Sequence, residues 1–266
     1  YLQWIELPTW DLRERYFAAP GKATGQIKLI FLDQGDLDWG KNVQKWPWPW
    51  PRVAYGAVID FCRRGGAKAV IFDVIFSESS RDGQADDDAF AESIARYPAF
   101  VGTVFLSDRQ GTVENWPGNM PSEKFSFGHC SIFADSHLAG ILSSSKATFP
   151  IPEVATNALI LGNVSDNLGS DKVIRRVTPF RLFDNHFVPS LGLAAFLAGE
   201  KDRRVLADSD ALSTRVSTIP LDENGRVILR FRGKSQTHKT VSAQSVIQSE
   251  IRMQEGSKPV VDPSFF

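Results

Sequence analysis

The apolar positions in the first half of the chain alternate between short continuous runs and helical spacing. Runs at 27–33, 67–73 and 99–105 are almost wholly apolar and are bounded by turn residues, which is typical of strands buried on both faces of a parallel sheet. Between these runs, apolar residues recur at helical spacing over 52–64 and again after the acidic residues 86–88. This order of strand, helix, strand, helix and strand predicts a right-handed parallel α/β unit.

The second half of the chain is less regular, and residues 107–150 show no clear pattern. Its predicted elements are strands at 158–164, 173–183 and 227–231, a turn at 184–185, and helices at 190–197 and 240–251. The strand at 173–183 alternates apolar residues with Arg and Thr, which predicts one solvent-facing side. We therefore expect an α/β fold with a mixed, mostly parallel sheet flanked by helices and a partly antiparallel C-terminal portion. Residues 1–25 form a helical lead-in to a single domain at 26–266.

The composition excludes several classes of protein. Hydrophobic residues make up 42% and charged residues 23%, which is ordinary for a globular chain, and the net charge of −1 supplies no broad attraction to nucleic acid or to an anionic membrane. Only two cysteines are present, so a disulfide scaffold and a four-cysteine zinc site are excluded, whereas one pair or two free thiols stay open. No apolar run approaches the roughly 18 residues that span a bilayer.

Two carboxylates end predicted strands, Asp33 after the first and Asp73 after the second. If these strands are parallel neighbours, both carboxylates lie at the carboxyl edge of the sheet, where open α/β sheets bind ligands. Together they could hold a divalent cation, bind an amine or hydroxyl, or divide acid and base roles. The alternative is structural, because a strand-end Asp often accepts the backbone N–H groups of the following turn.

A run of alternating tryptophan and proline, residues 46–51, precedes the helix that starts at Arg52. Alternating prolines restrict the backbone to extended geometry and make the segment stiff. Trp48 and Trp50 could stack on a sugar or a cation, and Arg52 could pair with an Asp. The alternative is a rigid brace in which the rings cover the edge of the sheet and Arg52 ties the helix start to a carboxylate.

Searches for complete catalytic motifs in the sequence find none. The first strand is not followed by a glycine-rich phosphate loop, no Gly-x-Ser-x-Gly elbow occurs, and the four histidines lack the spacing of metal ligands. We predict no catalytic residues, no metal site and no cofactor in this chain. The alternative from a different class is a metal-assisted hydrolase that uses Asp33 and Asp73.

The order of several motifs resembles a known family of sensory domains. The motifs are Asp11-Leu12-Arg13, the strand that ends in Asp33, the Trp–Pro run with Arg52, Gly66 to Phe76, the acidic helix start at 86–88, Leu161 to Val164 with Asp166, Ile174 to Pro179, and Pro189-Ser190-Leu191. Together they cover nearly the whole chain. They resemble the second class of CHASE domains, the cyclase/histidine-kinase-associated sensory extracellular domains. The Trp–Pro run is tripled here, whereas the family pattern has it doubled.

The resemblance implies an extracellular or periplasmic sensory domain of a cytoplasmic-membrane receptor. It further implies flanking membrane helices outside this chain, a further strand beyond Phe266, and a cytoplasmic histidine kinase, nucleotide cyclase or serine/threonine kinase as output. We expect a small-molecule or protein stimulus and a homodimer, with no nucleic acid as a partner. The candidate ligand-binding or signalling residues are Asp33, Trp48, Trp50, Arg52 and Asp73.

Overall fold

The computed structural model describes residues 3–122, 128–130, 136–165, 171 and 173–266. Helices alternate with strands in several small sheets, both parallel and antiparallel, so the predicted α/β class is confirmed. The helices are α1 Gln3–Phe17, α2 Gln34–Trp39, α3 Arg52–Arg64, α4 Gln84–Ala95, α5 Ser136–Leu142, α6 Pro152–Asn157, α7 Leu191–Ala198 and α8 Ala243–Gln254. The strands are β1 Lys28–Phe31, β2 Val70–Ile71, β3 Phe100–Ser107, β4 Gly128–Cys130, β5 Lys146–Thr148, β6 Ile160–Asn163, β7 Arg176–Val177, β8 Phe180–Phe183, β9 His186–Pro189, β10 Val205–Ala207, β11 Ala211–Thr214, β12 Thr218–Pro220, β13 Val227–Ile228 and β14 Lys239–Ser242.

The chain divides into two compact units. The first unit combines Tyr1–Trp50 with Leu229–Phe266, and the second is the continuous segment Pro51–Ile228. The predicted division into a lead-in at 1–25 and one domain at 26–266 stays a prediction. Asp166 of the family pattern lies outside the described residues.

The second unit is built on a parallel sheet in which β3 lies between β2 and β6. This sheet confirms the parallel pairing expected of the second and third apolar runs, β2 and β3, but it does not include the first run. β5 adds an antiparallel strand at the far end of β3. Helix α7 packs closely against β6 because Gly162 has no side chain: a Cβ there would lie 2.6 Å from Leu191 Cα. The hydrophobic core of this unit includes Val101, Ile160 and Phe180, all with no exposed surface.

Helix α3 has the bounds that its sequence signals predict. Pro51 precedes its first turn, Arg63 and Arg64 lie in its last turn, and Gly65 follows as the C-cap. An aromatic cluster covers this side of the unit, with ring centroids 4.9–6.3 Å apart. Its members are Tyr55, Phe72, Phe76, Phe90 and Phe100.

The predicted strand at 173–183 forms two separate strands. β7 pairs with β13, whereas β8 forms a hairpin with β9 through Asp184 and Asn185, whose φ values of 46° and 62° suit a tight primed turn. The expectation of one solvent-facing side is wrong for β8, because all four of its residues are buried, Arg181 among them. The antiparallel pairs β8–β9, β10–β11 and β11–β12 form the antiparallel C-terminal portion that the sequence predicted.

In the first unit, β1 pairs in parallel with β14 from the C-terminal end of the chain, with Lys28 opposite Lys239. The first two strands are therefore not paired with each other, since β2 pairs with β3. The helix predicted at 240–251 begins only at Ala243. The β-branched residues Thr240 and Val241 extend beside β1 instead, which supplies the hydrogen-bonding partners that a strand needs.

Candidate functional site

Asp33 caps the start of α2. Its Oδ1 accepts the backbone N–H of Asp36 at 3.2 Å, and Oδ2 of Asp36 accepts the backbone N–H of Asp33 at 2.8 Å. This reciprocal pair is a capping box, which satisfies two N–H groups that the helix itself cannot pair. The capping alternative that the sequence analysis left open is thus what the structure shows for Asp33, and a part in ligand binding stays a prediction.

Asp36 is a buried carboxylate that joins two helix starts of the first unit. Its Oδ1 accepts the backbone N–H of Gln244 in the first turn of α8 at 2.8 Å, while its Oδ2 is held by Asp33. The side chain is 1% exposed. Sequence analysis did not single it out, although an acidic residue three positions after a capping Asp is a recognisable signal.

The tryptophans of the Trp–Pro run pack on one another and on Trp39, the last residue of α2. Trp39, Trp46 and Trp50 contact each other edge to face, with ring centroids 5.8–6.1 Å apart. Trp39 and Trp50 are buried, and their indole N–H groups find no acceptor among the residues that the structure describes. Ring packing, worth about 0.5–1.5 kcal/mol per pair, therefore stabilises this cluster.

Trp48 is the member of this cluster that faces solvent. Its ring lies 6.4 Å from that of Trp50 and is 55% exposed, and the Trp48–Pro49 peptide bond is cis. Of the two tryptophans predicted to stack on a ligand, Trp48 has a ring surface available, whereas Trp50 is 3% exposed.

Arg52 lies at the start of α3 and is buried in a polar network of the second unit. Its Nε donates to Oδ1 of Asp87 at 3.0 Å, its Nη2 donates to the carbonyl of Glu78, and its guanidinium lies 4.6 Å from the centroid of the Phe76 ring. The predicted pairing of Arg52 with an Asp occurs, but the partner is Asp87 rather than a strand-end carboxylate.

Asp86 completes this network from the first turn of α4. Its two carboxylate oxygens accept the backbone N–H groups of Arg52 and Val53 at 2.6 and 3.0 Å, and it also accepts the Ser80 hydroxyl at 2.6 Å. Asp86 and Asp87 lie in the first turn of α4, where a negative charge is stabilised by the positive end of the helix dipole. Asp86 also accepts backbone N–H groups at the N-terminus of α3, where the helix dipole is positive. A local sequence pattern could not indicate this contact, because the two helices are far apart in the chain.

Asp73 follows β2 in the second unit and is exposed. It has no hydrogen-bonding or ionic partner among the described residues. Asp73 was expected beside Asp33 on the condition that their strands are neighbours, and that pairing does not occur. Their convergence on one edge stays a prediction, as does the binding role of each.

The second unit also contains a cavity of about 180 Å³ that the sequence analysis missed. It is lined by Ile141, Leu142, Thr178, Arg181, Asn224 and Arg226. Arg181 is only 6% exposed, so its positively charged guanidinium is buried in the second unit next to the cavity. The available signal was an arginine within the otherwise apolar run 180–183, which the alternating pattern assigned to a solvent-facing side.

Asp222 orders the loop that carries two of these residues. Its Oδ1 accepts the backbone N–H groups of Asn224 and Arg226 at 2.9 and 2.8 Å, and its Oδ2 lies 2.9 Å from Nη1 of Arg176 and 3.3 Å from Nε of Arg226. Burial alone would raise the pKa of Asp222. The backbone donors and the two guanidiniums outweigh it, so this pKa lies below its usual value.

Cys62 is a buried core residue of α3. Its thiol is free and 2% exposed, and burial raises its pKa to about 12. The thiol is therefore protonated at neutral pH and is a poor nucleophile. In the part of the chain that the structure describes, no group of three or more His, Cys, Asp or Glu residues is placed to hold a metal ion.

In a comparison with known families, the model of the CHASE2 domain matches residues 1–266. The chain belongs to the CHASE2 family. CHASE2 domains are extracellular sensory domains of signalling receptors and are not catalytic, so the resemblance seen in the motifs is confirmed. No curated protein and no solved structure matches this CHASE2 domain significantly. Among its described helices, none combines the length and apolar character that crossing a membrane requires.

Proposed function

We propose that this chain is the extracellular or periplasmic sensory domain of a membrane-anchored receptor. In this proposal it transmits a stimulus to a cytoplasmic histidine kinase, nucleotide cyclase or serine/threonine kinase, and helices outside this chain hold it to the membrane. The observation that carries the proposal is the match of the CHASE2 family to the whole chain. The stimulus is a small molecule or a protein, and the receptor works as a homodimer.

Signal transmission requires a stimulus that distinguishes two arrangements of the receptor dimer. A ligand that binds both arrangements equally shifts no equilibrium, however tightly it binds. Trp48 and Asp73 are exposed, so each is a candidate contact for the stimulus in its own unit. Trp50 and Arg52 are buried and Asp33 caps a helix, so these three act in the proposal by positioning the backbone around such contacts.

The location is tested by labelling the full-length receptor in intact cells with a membrane-impermeant maleimide. The assay uses Ser79→Cys in a Cys130→Ser background, because Ser79 is exposed whereas Cys62 is buried. The variant should be labelled from outside, and the background without Ser79→Cys should not. Labelling that occurs only after the membrane is permeabilised would contradict an extracellular or periplasmic location.

The signalling residues are tested by the output activity of the full-length receptor, measured as phosphoryl transfer or as cyclic nucleotide formation. Asp73→Asn is compared with Asp82→Asn, a second exposed aspartate of the same unit, and Trp48→Ala with Trp48→Phe. We expect Asp73→Asn and Trp48→Ala to change the output while Tm stays unchanged. Output equal to wild type in both variants would remove these two residues from the signalling site.

A further inference from the structure

Arg181 is a buried cation whose side chain makes one hydrogen bond to the residues that the structure describes. It lies in β8 between Phe180 and Leu182, two residues of the core, and is 6% exposed. Its Nη1 donates to the Ser144 hydroxyl at 3.2 Å, and its buried Nε finds no acceptor among the described residues. A guanidinium carries five N–H donors and keeps its charge at every physiological pH. Burying it without an anion costs free energy that a bound anion would recover.

The cavity beside Arg181 has a lining that suits an anion. Of the described residues that line it, two are arginines, Thr178 and Asn224 are polar and uncharged, and none is acidic. The carboxylate that pairs with Arg226 is Asp222, which is already shared with Arg176 and with two backbone N–H groups. The described lining residues and their ionic partners thus include three guanidiniums, of Arg176, Arg181 and Arg226, and one carboxylate, that of Asp222.

The wall of the cavity is held in place before any ligand arrives. Gly225, with a φ of +67°, packs against α5 so closely that a Cβ there would lie 3.0 Å from Leu142 Cδ2. Asp222 fixes the backbone on both sides of this glycine through the N–H groups of Asn224 and Arg226. A loop that is already ordered loses little conformational entropy when a ligand binds.

We propose that this cavity binds the carboxylate of a small organic acid. Arg181 and Arg226 supply the cations, and a guanidinium can donate two parallel N–H groups to the two oxygens of a carboxylate. Ile141 and Leu142 line the same cavity with apolar surface, which suits the carbon chain of the acid. Inorganic phosphate has no carbon chain to place there, so the lining favours an organic acid.

The binding step stands on the cavity alone. Only the further step, in which this acid is the stimulus of the receptor, rests on the proposed sensory function. A binding measurement on the 266-residue chain therefore tests the cavity without testing signalling, and the labelling and output experiments test the receptor without testing the cavity.

The experiment measures thermal unfolding of the chain in increasing sodium succinate, sodium propionate or sodium phosphate, with sodium chloride at matched ionic strength. The same titrations are run on Arg226→Gln, on Arg181→Gln and on the control Arg109→Gln, which removes an exposed arginine of the same unit. In parallel, the Nε–H signal of Arg181 is followed by NMR in the wild-type chain. This measurement tests ligand binding at Arg181 even if one of the variants fails to fold.

We expect succinate or propionate to raise Tm with concentration beyond the effect of chloride and to shift the Arg181 Nε–H signal. Arg226→Gln should weaken the apparent Kd about tenfold or more, and Arg109→Gln should leave it unchanged. Equal effects of carboxylates and chloride, or an undiminished effect in Arg226→Gln with no change at the Arg181 signal, would overturn the site. A larger effect of phosphate than of either carboxylate would overturn the assigned ligand class.

Discussion

Arg52 and Asp87 form a buried ion pair in the second unit: Nε of Arg52 lies 3.0 Å from Oδ1 of Asp87, and the two side chains are 10% and 1% exposed. The second oxygen of Asp87 accepts the backbone N–H of Ser80 at 2.8 Å, so the carboxylate joins α3, α4 and the loop before α4. A buried ion pair adds little to the free energy of unfolding compared with a pair of apolar residues of similar volume. Removal of one partner is costly, because the other charge then stays buried without compensation.

Asp87→Ala should therefore lower the free energy of unfolding by about 3–5 kcal/mol, because Arg52 would stay buried without its carboxylate. The matched control is Asp88→Ala, the exposed neighbour, which should change stability by about 0.5 kcal/mol or less. Urea denaturation followed by circular dichroism measures both. Equal stability of the two variants would show that the ion pair does not hold these elements together.

The capping role of Asp33 predicts a smaller loss. Asp33→Ala should cost about 1 kcal/mol because the backbone N–H of Asp36 loses its acceptor, whereas Asp33→Ser should retain most of the stability. The same denaturation experiment ranks the two variants. If Ser and Ala cost the same, a feature of Asp33 other than its capping oxygen is responsible.

Gly40 follows α2 and contacts Trp50 so closely that side-chain volume cannot be added there. A Cβ at Gly40 would lie 2.7 Å from Trp50 Cε2, and Trp50 is buried within the tryptophan cluster. Gly40→Ala should lower stability by about 1–3 kcal/mol and change the tryptophan fluorescence. Gly25→Ala is the control, since a Cβ at Gly25 meets no atom within 4 Å, and it should leave both measurements near wild type.

Burial of Tyr55 predicts a loss of stability at alkaline pH. Desolvation raises the pKa of this phenol to about 12 although the Arg52 charge lowers it, whereas the phenol of the unfolded chain titrates near 10. Between these values the unfolded chain releases a proton that the folded chain keeps, so stability falls as pH rises. Tm measured from pH 8 to 12 should fall less steeply in Tyr55→Phe than in wild type. Parallel curves would contradict the raised pKa.

Local signals in the sequence predicted several elements well. Pro51 and Gly65 mark the two ends of α3, and the apolar run at 99–105 became β3. These predictions succeed because capping, helical spacing and buried strands depend on residues close together in the chain. The family was also recognisable, because its motifs follow one another in order along the chain and can be identified without knowledge of their contacts.

Which strands pair with each other depends on contacts between segments that are distant in the sequence. β1 and β14 lie near opposite ends of the chain and pair with each other. The apolar pattern within β1 indicates a buried strand, but it does not indicate which strand lies beside it. Asp33 and Asp73 were expected to lie together only if β2 was that neighbouring strand. Likewise, the alternation at 173–183 assigned Arg181 to solvent, because period two identifies opposite faces of a strand but not what covers each face.

The amino-acid sequence by itself determined the α/β class, the main helix and strand positions and membership of a sensory family. Each of these follows from short-range spacing or from the order of motifs. Only the tertiary structure decided that Asp87 is the partner of Arg52, that Trp48 faces solvent while Trp50 is buried, and that Arg181 lies beside a cavity. Those facts depend on contacts between residues far apart in the chain, and a local pattern carries no information about which distant segment covers it.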